Sequence, residues 1–237
     1  MTLLRAVACA GLLAQVACSG AAAAPPRAAA QSDWDRARNR LESARARAPA
    51  QPYVDRVRVA FRAPGTATIG GRGAVAVSPG AAMRLIVVGP AGVTALDLWV
   101  TPNRWRLSIP AIGLLQRGAQ SAPASMPIGF FRAWLVRPFV GRLLTIVGDE
   151  LVLAEGGAIE RISGAIEEGR GRMVRREGTS IEQIEMMAPS GADGAEGRVR
   201  YRALSTGLEV DVWVEGRSTE PPDVAAFADP DLPEGTQ

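Results

Sequence analysis

The stretch from Met83 to Pro110, MRLIVVGPAGVTALDLWVTPNRWRLSIP, leaves the chain little choice of fold. Three apolar runs alternate with other residues at period two, and they are separated by Gly89-Pro90-Ala91-Gly92 and by Pro102-Asn103. Alternation sends neighbouring side chains to opposite faces of a half-buried strand, and Gly, Pro and Asn supply the turns that reverse it. The stretch therefore reads as an antiparallel meander. With Val100 opposite Trp105, Leu98 opposite Leu107 and Leu96 opposite Ile109, one face is continuously apolar. Asp97 opposite Ser108 and Trp99 opposite Arg106 fall on the other.

The same pattern recurs on both sides. Val57, Val59 and Phe61 alternate with Arg56, Arg58 and Arg62, and Ala67 to Val77 continues with Gly70, Gly71 and Gly73, where a sheet can bend or bulge before Val75 and Val77 resume. Further on, Leu143 to Leu153 and Ala158 to Ile162 read as strands, and Arg172 to Arg176 with Ser180 to Met187 as a hairpin around Gly178. In a last hairpin, Arg198 to Leu204 and Leu208 to Glu215, pairing Arg202 with Glu209 and Arg200 with Asp211 leaves Val199, Tyr201, Val210, Val212 and Val214 together on the opposite face. That charge ladder reads as a solvated sheet face. Ala111 to Pro127 reads as a long connection, and a short helix follows, starting near Ser125-Met126-Pro127 and stopping before Pro138. It carries Phe130, Phe131, Trp134 and Leu135 on one side, as a lid over the sheet. Ahead of the strands, Ser32 can cap a helix with Asp33 and Asp35 in its first turn, and Trp34, Ala37, Leu41, Ala44 and Ala48 form its apolar stripe. The architecture expected is mainly β: an incomplete antiparallel β-barrel lidded by an N-terminal helix and a short central helix.

Composition then narrows the chemistry. The 237 residues contain no His, and all 27 basic residues are Arg, so imidazole bases, His metal ligands, the phosphate-binding lysine of nucleotide sites and Schiff-base chemistry are absent. Both cysteines, Cys9 and Cys18, lie near the N-terminus, which leaves the strand region without disulfides or a Cys zinc site. The net charge of +3 comes from arginines scattered along strands among acids, a solvated surface rather than a nucleic-acid footprint. Asp149-Glu150 and Glu167-Glu168 are tight carboxylate pairs, but both sit beside Gly in turns, so no catalytic residue is assigned and no cofactor or metal is expected.

Arg5 followed by the apolar stretch Ala6 to Ala17 suits a secretory signal and is too short to span a bilayer, which needs ~20 residues. Residues 1–17 are thus read as a signal peptide, 18–31 as a flexible tether, 32–228 as the folded domain and 229–237 as a frayed acidic tail. Gln15-Val16-Ala17-Cys18 resembles a bacterial lipoprotein box at its last three positions and departs from it at Gln15. Lipidation of Cys18 would anchor the chain, with cleavage within Ala21 to Ala24 and release of a soluble periplasmic protein as the alternative. Ser19 after the cysteine points to the outer membrane.

Together, the lipoprotein-type leader, the N-terminal helix, the strand-GPxG-strand meander, the interrupting apolar helix and the final PPxxxAF segment resemble the bacterial lipoprotein-localisation carriers of the LolA/LolB superfamily. The resemblance runs from about Ser32 to Phe227 and is strongest at Arg84 to Val100. It implies a half-barrel whose concave interior holds the acyl chains of a lipoprotein or phospholipid, facing the periplasm, with a periplasmic carrier protein as a further partner and a monomeric state. Strand parity lines that interior with Val57, Val59, Phe61, Val75, Val77, Leu96, Leu98, Leu107 and Ile109, closed by Phe130, Phe131 and Trp134; a filled core is the other reading of the same residues. In membrane-anchored relatives, a large apolar residue in the GPxG turn touches the membrane. Here that position is Ala91, so the contact passes to Ile112, Leu114 and Leu115, or the protein does not insert lipoproteins. A non-enzymatic lipid or lipoprotein carrier is the first reading, and an envelope scaffold or sensor built on the same half-barrel is the second.

Overall fold

A computed structural model of the chain describes residues 30–89, 92–119, 126–187 and 196–231 and is built around one antiparallel sheet of 13 strands. In chain order these are β1 (Tyr53–Arg62), β2 (Ile69–Ser78), β3 (Ala82–Val88), β4 (Thr94–Val100), β5 (Trp105–Ile109), β6 (Leu114–Gly118), β7 (Arg142–Val147), β8 (Glu150–Glu155), β9 (Ala158–Ser163), β10 (Gly171–Glu177), β11 (Ser180–Met187), β12 (Gly197–Ala203) and β13 (Leu208–Arg217). Helix α1 (Gln31–Arg47) precedes the sheet; α2 (Ile128–Phe131), continued by a π turn over Arg132–Val136, lies between β6 and β7. In space the order is β6-β5-β4-β3-β2-β1-β13-β12-β11-β10-β9-β8-β7. Sequential strands pair as hairpins, β1 joins the two halves by pairing with β13, and among the described residues β6 and β7 are the edge strands. The sheet is thus an incomplete barrel lidded by two helices.

Registers follow the side-chain pattern. Asp97 to Val100 oppose Ser108 to Trp105, Arg202 opposes Glu209, Arg200 opposes Asp211, and Glu177 meets Ser180 around Gly178. This parity puts Val57, Val59, Leu85, Leu98, Leu151, Ile162, Val199 and Val212 into one buried core. A one-residue slip would turn that set to solvent, so burial itself fixes the register. Alternation also fixes two ends for the barrel. At the near end lie the starts of β1, β3 and β10 and the last residues of β2, β11 and β13; at the far end lie the β3–β4, β5–β6 and β12–β13 turns.

Several details depart from the sequence reading, each for a physical reason. The glycines of β2 produce no bulge: its pairing with β1 and β3 runs without a shift in register. They instead allow close approach, since a Cβ on Gly73 would stand 1.9 Å from the Ile86 carbonyl oxygen. Leu114 to Gly118 is strand rather than connection, because the turn at Pro110–Ile112 returns the chain along β5, Ile109 opposite Leu114 and Trp105 opposite Gly118. The run Leu143 to Leu153 breaks at Gly148-Asp149 into the β7–β8 hairpin. Helix α1 begins at Gln31, not after Ser32; the Asp33 carboxylate accepts from the Ala30 N–H at 3.3 Å, and Ala37, Leu41 and Ala44 form its buried stripe.

The tail is not frayed as far as Asp231. Asp229 pairs with Arg104 at 2.7 Å, and Asp231 with Arg106 at 3.0 Å and Arg117 at 3.2 Å. The Trp99 indole N–H donates to the Phe227 carbonyl at 3.0 Å, so this segment straps the outer face of β4 to β6. Nor is the charge ladder simply solvated. Asp211 is completely buried beneath Arg62, Arg198 and Arg200, which donate to its two oxygens at 2.5–3.0 Å. Trp213 lies between Arg58 and Arg198, 4.5 and 4.8 Å from its ring centroid, which shields that layer further.

Candidate functional site: an apolar pocket at the near end of the half-barrel

The lid is where sequence and site meet. Proline at 127 opens a helix of only four residues, and Phe130 and Phe131 turn inward and are fully buried. Phe130 stacks on Trp134 and on Tyr201 of β12, centroids 5.3 and 4.9 Å apart. The lid is tied down by polar contacts: Arg132 Nε donates to Thr101 O at 2.9 Å, and the Gly80 N–H to Val136 O at 2.7 Å. On its other side, Arg45 of α1 donates to Phe139 O and Gly141 O at 3.0 and 2.7 Å.

Between this lid, the C-terminal end of α1 and the near ends of β10 to β13 lies a pocket of about 790 Å³. Its lid-side wall is Trp134, Leu135 and Phe139; its sheet-side wall is Met173, Ile184, Met186 and Val199. Methionine is flexible and polarisable, so two of them on one wall, with Met187 as a third at the edge, suit a ligand without fixed shape. Charged residues line the mouth: Arg47, Arg170 and Arg217 against Asp55, Glu168 and Glu196. Arg217 holds Asp55 bidentately at 2.7 and 3.0 Å and lies 3.9 Å over the Tyr53 ring, and burial first, then the Asp55 charge, pushes the Tyr53 hydroxyl up to about 12.

The residues named from strand parity lie elsewhere on the same inner face. Val57, Val59, Val75, Val77, Leu96, Leu98 and Leu107 are buried in the core, with Phe61 and Ile109 packed against it. Of the lid residues named from sequence, Trp134 and Leu135 line the open pocket, and Phe130 stacks on Trp134. The residues named from the β1–β5 half are shielded from solvent, while the 790 Å³ pocket lies against β10–β13. Met173, Ile184 and Met186 were not singled out by sequence reasoning, although the alternation of β10 and β11 already placed them inward.

At the far end, Val93, Ile112 and Leu115 are exposed at 65%, 70% and 46%, and Leu114 is half-buried opposite Ile109. The β3–β4 and β5–β6 turns therefore bring Val93 and Ile112 to the same rim, beside exposed Ile69 and Val88. Ala91 and Cys18 lie outside the described residues.

One inner-face feature had no counterpart in the sequence reading. Glu160, Arg175 and Glu182 stand directly opposite one another across β9, β10 and β11 and point inward, beneath the lid. Arg175 Nε is 3.9 Å from Glu160, and the Tyr201 hydroxyl donates to Glu182 Oε1 at 2.8 Å. Burial pushes Glu160 up to about 7; Arg175 opposes the shift, and Glu155 and Glu182 add to it. Burial raises Glu182 as well, against the Tyr201 hydrogen bond and Arg175. Between about 4.5 and 7 the folded chain holds a proton on Glu160 that the unfolded chain has released, so this group's contribution to stability is present below 4.5 and lost as pH rises through 7. Glu160→Gln is accordingly expected to leave thermal stability unchanged at pH 4 and to raise it at pH 8 by about 2 kcal/mol, read from paired melts.

No protein-family model matches the sequence, and no curated protein matches it. Among solved structures, the chain is similar to a LolA superfamily protein from Nitrosomonas europaea, at 13% identity and a TM-score of 0.49 over 83% of this chain and 99% of that one. It is also similar to a putative outer membrane lipoprotein-sorting protein domain from Vibrio parahaemolyticus, at 11% identity and a TM-score of 0.41 over 81% and 97% of the two chains. A protein of the DUF1329 family from Desulfovibrio piger aligns at 13% identity and a TM-score of 0.39 over 82% and 96%. Among the described residues, no helix is long and apolar enough to cross a membrane, and no group of three or more His, Cys, Asp or Glu could hold a metal ion.

Proposed function

We propose that this chain is a non-enzymatic, envelope-located binding protein that holds acyl chains of lipoproteins or lipids in the near-end pocket and takes part in lipoprotein transfer to the outer membrane. The observation that carries the reading is the 790 Å³ pocket with its lining of Trp134, Leu135, Phe139, Ile184, Val199 and three methionines. Its volume falls in the range of ligand sites, about 300–1,000 Å³. An acyl chain entering it gains roughly 25 cal/mol for each Å² of apolar surface taken from water and needs no hydrogen-bonding code. The arginine-bearing mouth suits the polar end of such a molecule.

In this reading, lipidated Cys18 anchors the chain through the tether, and the far-end rim of Val93, Ile112 and Leu115 supplies the membrane contact that Ala91 is too small to make. Met186 is partly buried and lines the pocket, so Met186→Glu places a charge on the hydrocarbon path while leaving the sheet ladder intact. Binding of a fluorescent fatty acid is expected to weaken at least tenfold in this variant, with an unchanged circular dichroism spectrum. Equal affinity in the folded variant would remove the pocket from the account.

A further inference from the structure

The strands that wall the pocket change character abruptly along their length. On the inner face of β10, Met173 is followed two residues on by Arg175; on β11, Ile184 is preceded by Glu182; on β12, Val199 is followed by Tyr201; and on β9, beside the pocket wall rather than in it, Ile162 is preceded by Glu160. Two residues along a strand is a step of about 6.6–6.8 Å on the same face. Met173, Ile184 and Val199 are therefore each backed, one side-chain step deeper into the half-barrel, by a polar group, while Met186 is backed by Ile184 and Val214 by Val212. The polar groups are themselves joined across the sheet, with Glu160 opposite Arg175, Arg175 opposite Glu182 and the Tyr201 hydroxyl on Glu182. Glu160 is only 2% exposed and the Arg175 side chain 18%. The stacked rings of Phe130 and Tyr201 stand where the two zones meet.

We propose that the charged row Glu160, Arg175 and Glu182 is the floor of the pocket and sets the length of hydrocarbon that it accepts. The inference rests on the acyl-binding reading above and adds a specificity to it. A methylene reaching the row gains nothing, because it would have to displace carboxyl and guanidinium groups from their partners, and a buried polar group that loses its partner costs more than one CH₂ returns. The β1–β5 side of the concave face carries buried aliphatic side chains, Val57, Val59, Val75 and Leu98 among them. Chains shorter than the depth of the pocket are discriminated by the methylenes they lack, and longer ones leave their surplus at the mouth.

The test is an affinity series with lysophosphatidylglycerols from decanoyl to stearoyl, measured by calorimetry on the wild-type chain and on Glu160→Leu/Arg175→Met/Glu182→Leu. Replacing a buried ion cluster by apolar groups of similar size is often neutral or stabilising, so the triple variant is a reasonable folded comparison. In the wild type, affinity should rise about fourfold per added CH₂ and then stop rising within the series. In the triple variant the rise should continue to longer chains. If the triple variant does not fold, Arg175→Met/Glu182→Met opens one opposed pair and should move the break by at least one CH₂. A wild-type rise unbroken through stearoyl, or the same break in the folded variants, would overturn the floor while leaving acyl binding in place. Absence of binding at every length would instead overturn the acyl reading itself.

Discussion

Gly73→Ala is expected to lower the melting temperature of the domain by roughly 10 °C or to abolish folding, a loss of about 3–5 kcal/mol. The added methyl would stand 1.9 Å from the Ile86 carbonyl oxygen and 2.9 Å from both the Ile86 carbonyl carbon and the Val87 Cα. All three atoms are backbone, so no side-chain rotation relieves the clash. Gly73 lies opposite Val57 on one side and Val87 on the other, in the middle of the β1–β2–β3 ladder, where moving one strand moves three. Ordinary overpacking costs about 1–3 kcal/mol because side chains can shift; here the sheet would have to uncoil. Gly157→Ala, with nothing within 4 Å of the added Cβ, is the matching control and should melt within about 1 °C of wild type.

The second large effect is expected at Asp211. Burial alone would raise this carboxyl, but hydrogen bonds from Arg62, Arg200 and Arg198 together outweigh it and hold the group below the usual carboxylate range. Asp211→Asn should cost about 2–3 kcal/mol at pH 7, less than a wholly buried ion cluster, because the three arginines are 26–44% exposed and remain partly hydrated. A depressed carboxylate contributes stability above its unfolded value and loses it as pH falls through the folded one. The gap between wild type and variant should therefore be full at pH 6 and close progressively below about pH 4. Urea titrations at both pH values read it directly. Asp211 and Glu160 thus bend the pH–stability curve in opposite directions, one losing stability towards acid and the other towards neutral pH.

How much of this was legible in the sequence depended on how local its cause was. The meander from Met83 to Pro110 declared its registers because side-chain period and turn chemistry both act over a few residues. So did the Arg202–Glu209 pairing, where charge and core asked for the same parity. Strand β6 escaped because Leu114 to Gly118 has little alternation of its own and is a strand only through its pairing with β5. The docking of Asp229 and Asp231 escaped for the same reason, since arginines more than a hundred residues away supply it.

For the site, the inward-facing strand positions could be read, but which of them are covered could not. Sequence gives the face of Val59 and of Ile184 equally well. Both are buried, and only the placement of α2 and the aromatic stack brings the second to the wall of the pocket. The inner row Glu160, Arg175 and Glu182 was masked by a frequent and ordinary pattern, charges alternating along strands, and it takes the registers of β9 to β11 to show them meeting on the concave side.

In the proposed function the space beneath the lid binds hydrocarbon and is more than a gap between packed elements. Native mass spectrometry of the wild-type chain, purified from a bacterial envelope without added lipid, measures this most directly. The expected spectrum holds a population carrying one acyl-lipid adduct, lost on activation and strongly reduced in Met186→Glu; a single lipid-free mass that stays lipid-free after incubation with anionic phospholipid vesicles would overturn hydrocarbon binding.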